Sequence, residues 1–297
     1  MLGTASAMPV IGRNPSAQAL QVRGRLFLID CGEGVQSQMV RFHVPMMKLD
    51  AIFISHIHGD HVFGLFGLLS SLGMKGRQVP LHIYAPSNFG PILKFFLSYY
   101  GDGLAFEIRF IPLKVKAPEV ILETKSLEVL AFPLNHGIET FGFLFREKEP
   151  MMNVRKEAIP EYGLTLTEIG TLKRGEDVVR EDGTAIPNAL VAYKPFEPRS
   201  YAYCSDTAPF PQEAEWLRGT TVLYHEATYL QELADQGAQR HHSTTVQAAT
   251  LARDAGVGKL LVGHYSSRVR DASLYEAQCR TVFPESYAVS DGEVYEI

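Results

Sequence analysis

The sequence predicts an α/β protein in which sheets of short strands are covered by helices. Two apolar runs, residues 26–30 and 51–55, have the length and composition of buried strands. Strands are predicted singly and in consecutive groups with helical patterns between them, which favours layers of sheet and helix. Hydrophobic residues make up 46% and charged residues 21% of the 297 residues, so the chain can bury a substantial core.

The remaining elements are predicted in chain order from apolar periodicity. Further strands are expected at 81–85, 107–115, 127–132, 139–145, 200–204, 220–225 and 259–264. Helices are expected at 34–42, 61–73, 89–99, 210–218, 244–255 and 272–281. Thr244 with Gln247, and Ser273 with Glu276, have the spacing of a capping box at the start of the last two helices. We expect residues 1–297 to form one domain of this class.

Charge and cysteine content restrict the function and the location. The formal net charge is −5, which excludes a generally basic coat for nucleic acid but allows a local basic strip. The 3 cysteines argue against a disulfide framework and fit a reducing cytoplasm. No apolar run approaches about 18 residues, and residues 1–4 do not resemble the start of a signal peptide. A cytoplasmic protein without a membrane span is therefore expected.

Residues 146–194 interrupt this pattern, because hydrophobic periodicity breaks up there and the density of charge rises. The stretch contains two charged pieces with glycine, 170–177 and 180–184. A long solvated loop is the plain alternative, but loops beyond about 15 residues are usually functional or disordered. We interpret the stretch as an arm inserted into the domain.

The stretch Ser-His-Ile-His-Gly-Asp-His at residues 55–61 is the most informative part of the sequence. His56 and His58 are two residues apart, so they point the same way in an extended chain. Asp60 and His61 follow at the start of the predicted helix. Four side chains that bind metals thus leave one turn, a pattern that scattered polar residues seldom produce. Imidazole and carboxylate ligands suit zinc or manganese.

Three other predicted strands supply further candidate ligands where they end. Four ligands from a single turn are too crowded to enclose an ion by themselves, so side chains from other elements are expected. His136 and Asp206 follow predicted strands, and His264 ends one. A lone histidine is usually a surface or core residue, but five of the 10 histidines are accounted for in this way. The sequence therefore predicts a metal site assembled from several strand ends.

These residues resemble the metallo-β-lactamase fold in its two-metal form and, more closely, the ribonuclease Z family of tRNA 3′-processing endonucleases. The matching pieces run in family order along most of the chain. They are 2–4 (Leu-Gly-Thr), 30–34 (Asp-Cys-Gly-Glu-Gly), 55–61, 133–136 (Pro-x-x-His), 204–207 (Cys-Ser-Asp-Thr), 225–228 (His-Glu-Ala-Thr), 242–244 (His-Ser-Thr) and 264–268 (His-x-Ser-Ser-Arg). The pieces at 225–228 and 242–244 are much more specific to this family than the turn at 55–61.

The resemblance implies a fold and a ligand set. The fold is a four-layer αβ/βα metallo-β-lactamase sandwich with an inserted flexible arm, and two divalent ions lie at one edge. The ions are expected to be Zn²⁺, with Mn²⁺ as the alternative. The implied ligands are His56, His58 and His136 for one ion, Asp60, His61 and His264 for the other, and Asp206 as the bridge.

Three residues are expected to take part in catalysis. Asp60 would bind an ion and also accept a proton from the attacking water. His242 directly precedes a predicted helix, where it could protonate the departing 3′ oxygen or stabilise the phosphate, and Glu226 could orient it. On spacing alone, an exposed histidine and a strand-end carboxylate are the better interpretations, and the resemblance reverses them. Asp30 follows a buried strand and is expected to support the site rather than bind an ion.

The expected substrate is precursor tRNA, and the candidate contacts are basic residues. These are Lys75, Arg77, Lys173, Arg174 and Arg268. Lys75 and Arg77 lie in a glycine-rich loop, whereas Lys173 and Arg174 lie in the arm, which clamps tRNA in the family. The arm has 8 basic and 9 acidic residues between 146 and 194, so electrostatics alone would not make it bind RNA. The resemblance also implies a homodimer in which the arm of one subunit serves the site of the other.

Four functions compete at this point. The first is a metal-dependent endoribonuclease that removes the 3′ trailer of precursor tRNA. The second is a phosphodiesterase acting on small diesters such as cyclic nucleotides. The third is a metal-bound RNA-binding subunit without turnover, which the full ligand set disfavours. The fourth is a hydrolase of thioesters or lactams, which the sequence pieces at 225–228 and 242–244 disfavour. The arm and the loop at 73–77 favour the endoribonuclease.

Overall fold

Two sheets and the helices that cover them account for most of the chain. The computed structural model describes residues 1–8 and 10–297. The chain divides into two units, of which the first contains 1–123, 129–145 and 200–297, and the second contains 124–128 and 146–199. The described helices include none that is long and apolar enough to cross a membrane.

The strands and helices of the described residues are as follows. The strands are β1 (Gln18–Val22), β2 (Arg25–Ile29), β3 (Leu49–Phe53), β4 (Leu81–Pro86), β5 (Ile108–Leu113), β6 (Glu119–Glu123), β7 (Leu127–Pro133), β8 (Phe141–Glu147), β9 (Asn153–Val154), β10 (Val178–Val179), β11 (Ala185–Ile186), β12 (Ala192–Tyr193), β13 (Ser200–Cys204), β14 (Val222–Glu226), β15 (Lys259–Gly263) and β16 (Ser286–Ala288). The helices are α1 (Val35–Arg41), α2 (Gly59–Met74), α3 (Phe89–Tyr100), α4 (Ala158–Glu161), α5 (Leu166–Lys173), α6 (Asn188–Val191), α7 (Glu213–Trp216), α8 (Ala234–Gln239), α9 (Thr245–Ala255) and α10 (Ser273–Arg280).

The first sheet has the order β1-β2-β3-β4-β5. β1 and β2 form an antiparallel hairpin, and β2 to β5 pair in parallel. Because α2 and α3 connect parallel strands, they cover one face of the sheet. Leucines of α2, including Leu65, Leu68 and Leu72, are buried in one apolar cluster with Leu28 and Ile52 of the sheet.

The second sheet has seven strands in the order β16-β15-β14-β13-β8-β7-β6. β13 to β16 pair in parallel, so their carboxyl ends meet at one edge. Alanines of α9, such as Ala248 and Ala252, pack in a buried cluster with Leu223 of β14 and Leu260 of β15. Small side chains on α9 allow the helix to lie close to the sheet.

Aromatic rings join the two sheets at the centre of the first unit. Phe27 and Phe53 of the first sheet contact Phe145 of the second, with ring centroids 5.6 Å and 5.2 Å apart. Phe53 also lies 5.4 Å from Phe143. With helices on the outer face of each sheet, the first unit has four layers, which confirms the fold class expected from the sequence.

The second unit contains residues 146–194 and has a small apolar core of its own. The core side chains are Ala158, Leu164, Leu172, Val178, Ile186 and Val191. Thr165 is the N-cap of α5 and forms a capping box with Glu168. The carboxylate of Glu168 also pairs with Arg180 at 2.7 Å. Its elements are only two to eight residues long, so apolar periodicity could not reveal them. That this segment is a tRNA-binding arm stays a prediction.

Most sequence-predicted elements are confirmed, with differences where the local pattern is weak. β1, β6 and β16 were not predicted, since β6 is largely exposed and β16 has only three residues. The capping box of Thr244 and Gln247 is present at α9. The one predicted for Ser273 is wrong, because the N-cap of α10 is Ala272, and the amide of Ser273 donates instead to the carboxylate of Asp271 at 2.9 Å.

Arg77 is a structural residue and not a surface contact. It is 2% exposed, and its guanidinium donates to the carbonyls of Leu49 at 2.8 Å, Val79 at 2.8 Å and Pro80 at 3.0 Å. The expectation that Arg77 contacts RNA is therefore wrong, because its donors are already occupied. The glycine-rich sequence around it showed charge but not burial. Lys75, two residues earlier, is exposed, and its contact with RNA stays a prediction.

Replacing Arg77 with Met should destabilise the protein by about 1–3 kcal/mol, because carbonyls lose their charged donor inside the fold. Lys75→Met is the matched control and should change stability by less than about 0.5 kcal/mol, as an exposed substitution does. Urea unfolding of both variants measures this difference. Equal stabilities for the two variants would show that the carbonyl contacts of Arg77 contribute nothing.

Candidate metal centre

The turn between β3 and α2 presents the first group of candidate ligands. His56 is buried, whereas His58 is exposed and is the N-cap of α2. Nε2 of His56 lies 3.0 Å from Nδ1 of His58. A Cβ on Gly59 would come within 2.3 Å of the ring of Phe63, an exposed side chain that would have to move. Asp60 and His61 then lie in the first turn of α2, as predicted.

Strained backbone places several residues of the centre. Asp30, Asp206 and His264 follow the ends of β2, β13 and β15, with φ of 55°, 59° and 61°. His241 has φ 55°, and these four are among six non-glycine residues with positive φ in the described chain. A non-glycine residue in this region costs about 1–3 kcal/mol. The concentration of such residues here is typical of a functional site.

The carboxylate of Asp206 lies between two groups of histidines. Its Oδ2 is 3.6 Å from Nε2 of His56 and 3.8 Å from Nε2 of His136. Its Oδ1 is 3.2 Å from Nε2 of His61 and 3.1 Å from Nε2 of His264. Each oxygen therefore faces a separate group.

Candidate ligand atoms lie within 4.8 Å of one another in each of three groups. One is His56, His58, His136 and Asp206, and another is Asp60, His61 and His264. The structure thus brings together all seven side chains named from the sequence. The third group is Asp206, His242 and His264, which places His242 beside the centre although it was not predicted as a ligand.

The ring nitrogens show that these side chains fit a metal ion. Nδ1 of His61 donates to Asp30 at 2.7 Å, and Nδ1 of His264 donates to Thr228 at 2.8 Å. Their Nε2 atoms are buried and have no hydrogen-bond partner among the described residues. In neutral rings these Nε2 atoms carry lone pairs that face the carboxylate oxygens of Asp60 and Asp206. Acceptors that face one another in a buried site need a cation between them, so the centre is a metal site.

A second carboxylate, Glu226, holds His242 at the edge of the centre. Glu226 is fully buried, and its Oε1 accepts from Nδ1 of His242 at 2.7 Å and from the amide of Thr207 at 2.9 Å. Nε2 of His242 then faces Asp206, 4.0 Å from Oδ2. Burial lowers the pKa of His242, but the Glu226 carboxylate more than offsets this and raises it to about 9.

Some of the contacts that support the ligands have no signal in the sequence. Asp30, which was expected to support the site, accepts hydrogen bonds from His61, from Ser55 and, at 2.5 Å, from the hydroxyl of Tyr203. Tyr203 carries no signal beyond its place in a strand. The carbonyl of His241, which accepts from Nδ1 of His136 at 3.0 Å, has no sequence signal either.

The remaining predicted RNA contacts lie on the surface. Lys173, Arg174 and Arg268 are exposed. Arg174 pairs with Glu176 at 3.1 Å, and Arg268 donates to Gln236 at 2.7 Å. Contacts of these residues with RNA stay predictions.

Solved structures show the class of fold. Human tRNase Z, short form, superimposes with a TM-score of 0.71 at 24% identity, covering 99% of this chain and 97% of that one. The metallo-β-lactamase fold protein YhfI of Bacillus subtilis gives a TM-score of 0.69 at 20% identity, with 99% and 97% covered. Together with the histidine–carboxylate centre, these matches define a protein of the metallo-β-lactamase fold with a metal site.

Relatives in sequence show the family. A ribonuclease Z of Cytophaga hutchinsonii is 40% identical over 298 residues, covering 99% of this chain and 94% of that protein. A ribonuclease Z of Parabacteroides distasonis is 38% identical, with 98% and 96% covered. The chain belongs to the ribonuclease Z family, which confirms the resemblance seen in its motifs. A family model described as anti-Pycsar protein Apyc1 also matches residues 1–98.

Proposed function

We propose that the chain is a metal-dependent endoribonuclease, a hydrolase that cleaves the 3′ trailer from precursor tRNA and leaves a 3′-hydroxyl on the tRNA. The observation that carries the proposal is Asp206, whose two oxygens face separate groups of histidines at 3.1–3.8 Å. Relatives named ribonuclease Z over almost the whole length of the chain support the choice of reaction.

Two divalent ions, Zn²⁺ or alternatively Mn²⁺, are the cofactors in this proposal. His56, His58 and His136 would hold one ion, Asp60, His61 and His264 the other, and Asp206 both. Two divalent ions at such a site neutralise charge on a phosphodiester and supply an activated water. The histidine and carboxylate side chains suit the binding of these ions. Hydrogen bonds from Nδ1 of His61 and His264 would orient the two rings so that Nε2 faces the ion.

The protein's own residues would position and move the protons. Asp60, at the start of α2, would accept a proton from the attacking water. Since Glu226 occupies Nδ1 of His242, the proton available for transfer is the one on Nε2. That proton would go to the departing 3′ oxygen as its bond to phosphorus breaks, which leaves the 3′-hydroxyl on the tRNA and the phosphate on the trailer.

A homodimer in the cytoplasm is the proposed form of the enzyme. On α3, Ile92, Phe95 and Tyr99 are 41%, 68% and 69% exposed, and their spacing places them along one face of the helix. An exposed apolar stripe of this kind is typical of an interaction surface. The three cysteines are free and buried, as suits a reducing compartment.

The test of the function compares two substrates on the metal-loaded protein. One is a precursor tRNA with a 3′ trailer, and the other is a small chromogenic phosphodiester. Cleavage of the precursor at one position, with a 3′-hydroxyl on the tRNA fragment, supports the proposal. Cleavage of the small diester alone would refute it in favour of a small-substrate phosphodiesterase.

Elemental analysis should find about two divalent ions per chain after reconstitution, because seven side chains exceed the needs of one ion. Asp206→Ala should lose both ions or nearly so, because its carboxylate faces both groups. Lys75→Ala is the control and should retain both ions. One ion or none in the wild-type protein would contradict the two-ion assignment.

Replacing residues 150–192 by a short glycine–serine linker should damage cleavage of precursor tRNA but leave hydrolysis of the small diester largely intact. Remote contacts contribute to binding a large substrate, whereas the metal centre performs the chemistry. Rates on both substrates measure the separation. Equal loss on the two substrates would show that the segment supports the fold and not the substrate.

His242→Ala should leave the metal content unchanged and reduce single-turnover cleavage by about 10²–10⁴-fold, the usual contribution of a positioned acid–base group. With Zn²⁺ in excess, so that both sites stay filled, Glu226→Ala should lose less, and the double variant should be little worse than His242→Ala, because Glu226 then acts on cleavage through its partner. Binding of precursor tRNA should persist. Wild-type cleavage by His242→Ala would refute its role, and loss of an ion would mean that His242 is a ligand.

A further inference from the structure

The hydroxyl of Thr228 lies between a candidate metal ligand and the carboxylate that orients His242. Thr228 Oγ1 is 2.8 Å from Nδ1 of His264 and 2.5 Å from Oε2 of Glu226. Thr228 is 4% exposed, and Glu226 is 0% exposed. These contacts are therefore sheltered from water, which would otherwise compete for the same atoms.

The chemistry of the groups fixes the direction of each hydrogen bond. A carboxylate only accepts, so the hydroxyl of Thr228 donates its single proton to Glu226. The same hydroxyl must then accept from Nδ1–H of His264. His264 is thereby held in the tautomer whose Nε2 carries a lone pair, and that Nε2 faces Asp60 at 3.5 Å and Asp206 at 3.1 Å.

The other oxygen of Glu226 completes the link. Oε1 accepts from Nδ1 of His242 at 2.7 Å and from the amide of Thr207 at 2.9 Å. Oε2 also accepts from the amide of Thr228 at 3.0 Å, so four donors surround the carboxylate. With its lone pairs occupied in this way, Glu226 cannot rotate without breaking several hydrogen bonds.

We infer that Thr228 is a positioning residue through which one buried carboxylate, Glu226, sets both the metal affinity of His264 and the orientation of His242. The role of His242 in this inference rests on the proposed function, whereas the effect on metal affinity does not. His61 offers the contrast within the same group, because its Nδ1 donates directly to its own carboxylate, Asp30. His264 has no carboxylate of its own on Nδ1 and shares the one that holds His242.

A consequence is that substitution of Glu226 acts on two properties at once. Loss of its acceptor oxygens removes the partner of the Thr228 hydroxyl, which is then free to turn and donate toward His264. His264 would lose its fixed tautomer, and the ion that it binds would be held more weakly. A carboxylate dedicated to His242 alone would change turnover and leave metal binding untouched.

The test measures the affinity of each ion by competition between the metal-free protein and a chromophoric chelator, without any RNA. Thr228→Val keeps the shape but removes the hydroxyl, and it should weaken one of the two Zn²⁺ ions by about 10–100-fold, the usual effect of losing a partner of a ligand histidine. Thr228→Ser keeps the hydroxyl and should bind both ions like the wild type. Glu226→Ala, which removes both acceptor oxygens, should weaken the same ion as Thr228→Val.

Thr220→Val is the matched control, because Thr220 is 3% exposed and its hydroxyl donates to the carbonyl of Leu217 at 2.8 Å, a partner outside the candidate ligand set. It should lower the melting temperature without changing either ion affinity. Wild-type ion affinities in Thr228→Val would overturn the inference, as would a loss that Thr228→Ser shares. If Thr228→Val does not fold, unchanged affinities in Glu226→Ala would overturn it equally.

Failure of this inference and failure of the proposed function give different results. A wild-type protein that binds two ions but does not cut precursor tRNA refutes the function, and the order of ion affinities among the variants still decides the role of Thr228. A protein that cuts precursor tRNA while Thr228→Val binds both ions normally keeps its function and refutes the link.

Discussion

The buried charge of Asp206 is the constraint on which the rest of the centre depends. Asp206 is 3% exposed, and removing a carboxylate from water costs several kcal/mol unless partners compensate. The Nε2 atoms of His264, His61 and His56 approach this carboxylate within 3.1–3.6 Å, and with neutral histidines only a cation makes that arrangement favourable. The centre is therefore stable as a metal site, and its ligands need their supporting hydrogen bonds.

The fold provides the positions at which these side chains can meet. Parallel β13, β14 and β15 end at one edge of their sheet, and Asp206, Glu226 and His264 lie at or just beyond those ends. The turn after β3, which carries His56 and His58, and the first turn of α2, which carries Asp60 and His61, reach the same place. The left-handed backbone at Asp206 and His264 costs stability. The packing of the parallel strands against the helices that cover them offsets this cost. Four of the six described non-glycine residues with positive φ lie in or beside the centre.

The sequence alone predicted the candidate metal ligands better than it predicted the residues that hold those ligands in place by hydrogen bonds. His136, Asp206 and His264 could be named because metal-binding residue types directly followed predicted strands, and the family motifs ordered them. Arg77 was misassigned because charge in a glycine-rich loop says nothing about burial. The hydroxyl of Thr228 and the phenol of Tyr203 could not be found, since their roles depend on contacts between distant segments. The helices and strands of the second unit could not be predicted from apolar periodicity, because each is too short to show a period.

In the proposed mechanism, ions held around Asp206 perform the hydrolysis of precursor tRNA. The most direct measurement titrates metal-free protein with Zn²⁺ and follows single-turnover cleavage of a precursor tRNA at each addition. We expect little cleavage until both histidine groups are filled, followed by a rise that ends near two equivalents. Full cleavage by the metal-free protein, or cleavage that reaches its maximum at one equivalent, would contradict it.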